Sequence, residues 1–295
     1  VKIDPVTKKV AAKTMVIGAS GSIGSVSARL LAMAFDEVYI AGRTLSKLEA
    51  LRDSILEETP DAKVVATTDY NELLGDMDMI VTSTSGAGKE ILDIMRVKPG
   101  CVITDVARPL DLPASDVAKR PDVLVIESGE IELPTKVKGL KSIGLPPNVI
   151  YACLAETIVL ALEGRFEVFT VGRDTEWEKV KEIYKLGIKH GMKLAAISGV
   201  NGVFTDEAIA KVVTLAKKAR LTWKGGSDAP AAKAAKPKAA AKPATARKAP
   251  ARKAVAEAKP AAPAKSAPKK AAARKAAPAK KAAVKRAARQ VPQLP

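Results

Sequence analysis

Residues 14–24 read Thr14-Met15-Val16-Ile17-Gly18-Ala19-Ser20-Gly21-Ser22-Ile23-Gly24. A short apolar run ends in glycines spaced Gly-x-x-Gly-x-x-Gly, and a helical pattern (Ile23, Val26, Leu30, Leu31) follows at once. A parallel strand that turns sharply into a helix needs this chemistry. Gly18 permits the turn, Gly21 lets backbone approach a pyrophosphate, and Gly24 lets the helix lie tight on the strand. The first N–H groups of such a helix lack internal partners, and its dipole favours negative charge there. Ser20 and Ser22 add hydroxyl donors. Three glycines alone also describe an ordinary turn. Here a strand precedes the loop and a second, Glu37 to Ala41, completes a βαβ unit, so we expect a dinucleotide.

The end of the second strand selects the cofactor. NAD-binding units place an Asp or Glu there to hold the ribose 2′-hydroxyl. This chain has Ala41-Gly42-Arg43-Thr44, with Lys47 one turn on. A guanidinium, a hydroxyl and an amine suit a 2′-phosphate, and no carboxylate is present to repel it. The expected cofactor is NADPH.

Strands and helices alternate after the loop, which predicts an α/β, Rossmann-type doubly wound parallel sheet. The expected pieces are a helix over Thr44–Glu58, strands at Lys63–Ala66, Asp78–Thr82, Cys101–Asp105 and Val123–Glu127, and helices at Tyr70–Leu74 and Lys89–Met95. Ligands in such sheets lie at the carboxyl edge. Two strand ends there carry polar groups: Thr82-Ser83-Thr84-Ser85-Gly86 and Asp105-Val106-Ala107-Arg108-Pro109. Ser83 and Ser85 could meet the nicotinamide half of the cofactor, or could simply be solvated.

From Pro146 the pattern changes to a helical region. Asn148 is the expected N-cap of a helix over Val149–Glu163, which puts Cys153 in its second turn. Further helices are expected at Trp177–Lys189, ended by His190-Gly191, and at Asp206–Arg220, capped by Thr205. The expected domains are therefore 1–145 (NADP-binding), 146–224 (helical catalytic or substrate region) and 225–295 (tail).

Charge divides the chain sharply. Residues 229–295 hold 19 of the 49 basic residues and one of the 32 acidic ones, Glu257, for a net of +18. The remainder nets −1, so the excess of +17 belongs to the tail. The tail is Ala, Lys, Arg and Pro without an aromatic residue, a composition that predicts disorder. It could serve as a solubilising linker or as a sequence-blind arm for DNA or RNA, gaining by counterion release. Its composition is similar to the arms of linker histones and bacterial histone-like proteins.

No apolar run approaches the ~20 residues of a membrane span, and nothing reads as a signal peptide. We expect a cytoplasmic protein, nucleoid-associated if the tail binds DNA. Two cysteines, Cys101 and Cys153, and one histidine, His190, offer no metal-ligand cluster. Cys153 could pack as a small hydrophobe, or present a thiolate aided by a helix N-terminus. Cys101 begins a strand, on the edge away from the nicotinamide.

Further residues carry a resemblance. Tyr151-Ala152-Cys153-Leu154-Ala155-Glu156-Thr157, Leu162-Glu163-Gly164, Gly172-Arg173, Glu178-Lys179 and Lys189-His190-Gly191 resemble the C-terminal region of the long-chain acyl-ACP reductases of cyanobacterial type. The glycine loop and Pro99-Gly100-Cys101-Val102-Ile103-Thr104-Asp105 are similar in the same order, and the likeness spans residues 3–198. It implies that Cys153 takes an acyl group from acyl-ACP or acyl-CoA, that NADPH reduces the thioester, and that a fatty aldehyde leaves. It also makes His190 a candidate proton donor, although a helix C-cap explains that residue equally well. Backbone N–H groups near Cys153, or the Ser83 and Ser85 hydroxyls, could hold the oxyanion. The family carries an α/β domain ahead of the glycine loop, and this chain begins at Val1, shortly before that loop. An incomplete acyl pocket, one supplied by another chain, or a fragment are the expectations this leaves.

Two other functions fit parts of the sequence. One is a carbonyl oxidoreductase of shikimate dehydrogenase type, without a covalent intermediate. The other is a non-catalytic nucleotide-binding protein tethered to nucleic acid by its tail.

Overall fold

The β1 strand, Val10–Ile17, shows why this chain forms a sheet covered on both faces. Thr14, Met15, Val16 and Ile17 are all buried, so neither face of the strand sees water. Met15 and Ile17 point into one apolar cluster and Val16 into another, the period of two that a strand imposes. Burying side chains of this size stabilises by about 1.5–3 kcal/mol each. A continuous apolar run is what a central parallel strand requires.

A computed structural model describes residues 3, 8–86, 90–139, 143–170 and 175–225. After β1 come α1 (Ser22–Ala34), β2 (Phe35–Ala41), α2 (Leu45–Glu58), β3 (Lys63–Thr67), β4 (Met79–Thr82), β5 (Val102–Asp105), the short α3 (Ala114–Val117) and β6 (Leu124–Glu127). These six strands are parallel, in the order β6-β5-β4-β1-β2-β3. The chain reverses its direction of winding between β1 and β4, the usual place for a ligand crevice. Helices α1 and α2 bury Ala28, Leu31, Leu48 and Ile55 on one face. The other face is covered by Leu74, Met77, Leu92, Ile94 and Val97.

That second face differs in detail from expectation. Instead of α-helices at 70–74 and 89–95, short 3-10 segments stand at Asn71–Asp76 and Ile94–Arg96, two turns and one turn long. Asp93 Oδ1 accepts from Met95 N at 2.9 Å, so the second segment starts at Ile94 and ends before Pro99-Gly100. Residue Lys89 lies outside the described residues.

The larger departure begins at Glu130. β7 (Glu130–Glu132), β8 (Val149–Tyr151) and β9 (Lys193–Leu194) form a separate antiparallel sheet, in the order β8-β7-β9. Helices α4 (Ala152–Leu162) and α5 (Trp177–Lys189) pack on it around Leu133, Ile150, Ala155, Val159 and Met192. Asn148 is therefore not a helix cap. Its φ is +71°, its amide donates to Leu133 O at 2.5 Å, and its own carbonyl accepts from Leu133 N. Val149, Ile150 and Tyr151 favour a strand once β7 offers a partner. The helix starts at Ala152, and Cys153 is its second residue rather than part of its second turn.

The chain then rejoins the first sheet. β10 (Ser198–Gly199) pairs antiparallel with β6, and β11 (Gly202–Val203) completes a hairpin. In α6 (Asp206–Arg220), Thr205 Oγ1 accepts from Ala208 N at 3.2 Å, as expected of its cap. Arg220 Nε donates to Pro99 O at 2.7 Å beneath β5. The small sheet thus draws on residues from 130 onward, ahead of the expected boundary at 145/146, and residues 198–220 return to the nucleotide-binding part. Among the described residues no helix is long and apolar enough to cross a membrane. Residues 226–295 lie outside the described residues, as do the disorder and nucleic-acid binding expected of them.

Candidate active site at the carboxyl edge of the sheet

Register brings the functional loops to one line. Thr67, Ala41, Ile17, Thr82, Asp105 and Glu127 are paired in sequence across the six parallel strands, and each is the last residue of its strand. The glycine loop, Arg43, Ser83, Arg108 and Ser128 therefore all leave the sheet at the same edge.

Within the glycine loop, Gly18 has φ +86°, where a side chain is strained, and a Cβ there would lie 2.8 Å from Ser83 O. At Gly24 a Cβ would lie 2.3 Å from Gly18 O and 2.8 Å from Ser83 Oγ, so only glycine lets α1 come this close. Gly21 is the N-cap of α1, and no acidic residue stands in the first turn. Ser22 and Ile23 are the first residues of the helix, Ile23 exposed. The fold is of the Rossmann type. Loop and helix together form an anion-receptive N-terminus.

Next along the edge, Arg43, Thr44 and Lys47 are exposed where β2 gives way to α2. Thr44 is the N-cap of α2 but its hydroxyl makes no capping bond, and the first turn holds no acid. Ser20 Oγ lies 3.6 Å from where a Cβ on Gly42 would stand, so the glycine loop and the Arg43 segment are neighbours. The two serines after β4 differ. Ser83 Oγ donates to Ile17 O at 3.3 Å and packs on the glycine loop, which makes it part of the loop's support. Ser85 is exposed.

Beyond β5 the edge is organised by carboxylates that sequence reading did not single out as supports. Asp105 is buried and accepts from Ala107 N, Asp111 N and Leu112 N at 2.8–3.0 Å. Burial holds its carboxyl above the usual range, against the pull of those N–H donors. Asp111 in turn accepts from Thr84 N and Thr84 Oγ1 at 2.9 and 2.5 Å, tying the loops after β4 and β5 together. Glu127 is also pushed up, first by burial and then by the charges of Glu130 and Asp105, with Arg108 opposing. The cluster of charged residues at 105–111 was the visible signal. Glu130 gave none, because its role depends on a second sheet.

The two cysteines separate cleanly. Cys101 is fully buried in the core beneath β5, and burial pushes its thiol up. Cys153 is exposed. Its helix is anchored by Ala152 N donating to Gly129 O at 2.8 Å, two residues past the end of β6, so Cys153 stands at the carboxyl edge. The bland reading of Cys153 as a packed core residue does not describe it. His190 does cap α5, and its Nε2 lies 2.5 Å from Glu163 Oε1, beside the Lys189 ammonium. Glu163 closes the C-terminal end of α4. Ten residues at 1.5 Å each put it about 15 Å along the helix from Cys153. The structure does not bring His190 to Cys153.

Residues 4–132 match the model of the shikimate / quinate 5-dehydrogenase family. Aminotransferase PigE of Serratia sp. (strain ATCC 39006) is 34% identical over 181 residues, 60% of this chain and 21% of the relative. The long-chain acyl-[acyl-carrier-protein] reductase of Synechococcus elongatus (strain ATCC 33912 / PCC 7942 / FACHB-805) is 24% identical over 194 residues, 63% of this chain and 54% of that one. The NADP(+) shikimate dehydrogenase of Gluconobacter oxydans (strain 621H) is 35% identical over 103 residues, 33% of this chain and 35% of that one. This chain therefore spans between about a fifth and about half of the length of these relatives.

Proposed function

We propose that the chain is an NADPH-dependent reductase of long-chain acyl thioesters, acyl-ACP or acyl-CoA, with Cys153 as the acyl acceptor and a fatty aldehyde as product. One observation carries this reading: an exposed thiol at the second position of a helix, mounted on the edge that also carries the glycine loop. Gly18, Gly21 and Gly24, with Ser20, Ser22 and Ile23, would hold the pyrophosphate side of the cofactor. Arg43, Thr44 and Lys47 would hold its 2′-phosphate, with Ser85 free for the nicotinamide half. When bound, NADPH supplies a hydride.

The chain's own work is acyl capture. Cys153 Sγ adds to the thioester carbonyl, the carbon–sulfur bond to the carrier breaks, and the Cys153 proton leaves on the carrier thiol. Such an exchange swaps one thioester for another and needs no external energy. The first turn of α4 has no side-chain cap, and its backbone N–H groups beyond Ala152 would stabilise the oxyanion. The exposed side of α4 suits an apolar substrate: Leu154, Ile158 and Leu162 follow one another at helical spacing and face outward. The similarity to an acyl-ACP reductase supports the substrate class. The similarity to a protein named an aminotransferase supports an aldehyde product, since a carbonyl is what an amino group is transferred to.

The test is direct. Long-chain acyl-CoA without cofactor should add one acyl group to the intact mass, on Cys153 and not Cys101, and NADPH should then release aldehyde. A second reading, direct carbonyl reduction, draws support from the family match, which ends at residue 132, ahead of Cys153. Carbonyl turnover with no acyl adduct would select it.

A further inference from the structure

Helix α4 has no side-chain cap at its N-terminus. Its seat must come from elsewhere, and the contacts converge on Arg108. The Arg108 guanidinium donates through Nη1 to Ala107 O at 2.8 Å and through Nη2 to Ser128 O at 3.0 Å. Nη2 also lies 3.5 Å from Glu130 Oε1, a carboxylate whose side chain is only 7% exposed. The guanidinium carbon stands 5.6 Å from the centre of the Tyr151 ring. Tyr151 is the residue on which α4 begins, and Cys153 follows two positions later.

Each of these partners belongs to a different piece. Ala107 lies in the loop that Asp105 clamps after β5, Ser128 joins β6 to β7, and Tyr151 ends β8. Glu130 carries the connection further: its Oε2 accepts from Ser198 Oγ at 3.3 Å in β10, and its backbone O accepts from Ala195 N at 3.2 Å. One planar fork thus spans the large sheet, the small sheet and the start of the cysteine helix. A guanidinium can donate in two directions and still offer a face to an aromatic ring, whereas an ammonium cannot.

We propose that Arg108 is a positioning residue that seats the N-terminus of α4, and with it Cys153, against the nucleotide-binding edge. This rests on the assignment of Cys153 and the glycine loop to one site.

The experiment uses the full chain as the parent and as Arg108→Ala, Arg108→Lys and Tyr151→Leu. It measures the rate of Cys153 alkylation by iodoacetamide, with and without saturating NADP+, beside melting temperature and NADP+ affinity. In the parent, bound nucleotide slows alkylation. In Arg108→Ala and Tyr151→Leu, NADP+ still binds with near-parent affinity but the slowing is lost. Arg108→Lys falls between, because it keeps the charge beside Glu130 and loses the fork. Turnover of acyl-CoA by Arg108→Ala falls by on the order of 100-fold, the cost of a small misplacement at a reacting group.

A parent that shows protection and an Arg108→Ala that shows as much overturns the inference alone. A parent in which NADP+ binds and gives no protection overturns the shared site, and this inference with it. If Arg108→Ala fails to fold because Glu130 is left buried and unpaired, the Lys and Leu variants decide by the same two readouts.

Discussion

Two helices begin at the carboxyl edge of this sheet, and they begin for different reasons. α1 starts on Gly21, inside a loop whose shape comes from residues a few positions apart: Gly18 turns, Gly24 admits the helix, and Gly21 N donates to Gly18 O at 3.0 Å. α4 starts on Tyr151, and its place comes from residues far away in sequence: Gly129 accepts from Ala152 N, β7 pairs with β8, and Arg108 stacks on the tyrosine. Neither helix has a side-chain cap, and neither has an acidic residue in its first turn. In neither helix does a side chain occupy the first-turn N–H groups, although Gly129 O takes that of Ala152 in α4. The locally encoded glycine loop and the remotely assembled Cys153 helix share one edge, and each should fail in its own way when perturbed.

The largest effect is expected at the remotely assembled site. Cys153→Ser should abolish aldehyde formation while NADPH affinity and melting temperature stay close to the parent, because an exposed thiol contributes little to the core. Alkylation of the native protein should reach Cys153 and spare Cys101 until unfolding exposes the core. Normal turnover by the serine variant would end the covalent mechanism.

At the locally encoded site the sensitive atom is a glycine hydrogen. Gly24→Ala places a methyl carbon 2.3 Å from Gly18 O and 2.8 Å from Ala19 Cα, backbone atoms that cannot yield cheaply. We expect a loss of about 1–3 kcal/mol or more of stability, read by denaturant unfolding, and a parallel loss of nucleotide affinity. Gly129→Ala is the matching change in the α4 mount. A Cβ there meets nothing within 4 Å, so only its φ of +85° is strained, at about 1–2 kcal/mol. Nucleotide affinity should survive that change. If Gly24→Ala bound NADPH like the parent, close packing of α1 would not be what shapes the site.

The same division explains what was legible. The six parallel strands along the chain, the turn of the glycine loop and the α6 cap were readable because each is written within a few residues. Periodicity, turn glycines and Thr205 suffice for those. The start of α4 was misplaced because Val149-Ile150-Tyr151 looks helical when Asn148 is taken as a cap, and strand-like only once β7 is known to lie alongside. The small sheet was missed for a related reason. β7, β8 and β9 have two or three residues each, too few for alternation to show. Arg108 stood in a loop that its strand-end position already marked, but the weight it bears depends on Glu130 and Tyr151. Cys153 was singled out through resemblance, while its exposure was not legible, since cysteine is more often buried.

A smaller effect separates the two nicotinamide cofactors. Arg43 is exposed and stands with Thr44 and Lys47 at the start of α2. Arg43→Ala should weaken NADPH binding by about 1.5–3 kcal/mol, the range for a charge-assisted hydrogen bond. NADH binding should hardly change, which titration calorimetry with both cofactors can read. Equal losses would assign Arg43 to the fold of the β2–α2 turn instead of to the 2′-phosphate.

The smallest effect is expected at His190, and it tests how far the α4 site extends. His190 and Lys189 converge on Glu163 at the C-terminal end of α4, while Cys153 occupies the other end. Lys189 and a protonatable His190 at the C-terminus of α5 suit that helix's own dipole, which accounts for them without a catalytic role. The Glu163 carboxyl is held below its ordinary range, chiefly by the Lys189 hydrogen bond and next by His190. A depressed carboxylate contributes stability above its unfolded pKa and loses it as pH falls through the folded one. His190→Ala should therefore lower the melting temperature slightly at neutral pH, and the difference should vanish in acid as Glu163 protonates. Turnover of acyl-CoA should stay close to the parent across the same range. A loss of turnover comparable to that of Cys153→Ser, with melting temperature unchanged, would instead make His190 the proton donor. That outcome would require His190 to leave Glu163 and come within hydrogen-bond reach of the carbonyl held on Cys153, at the other end of α4.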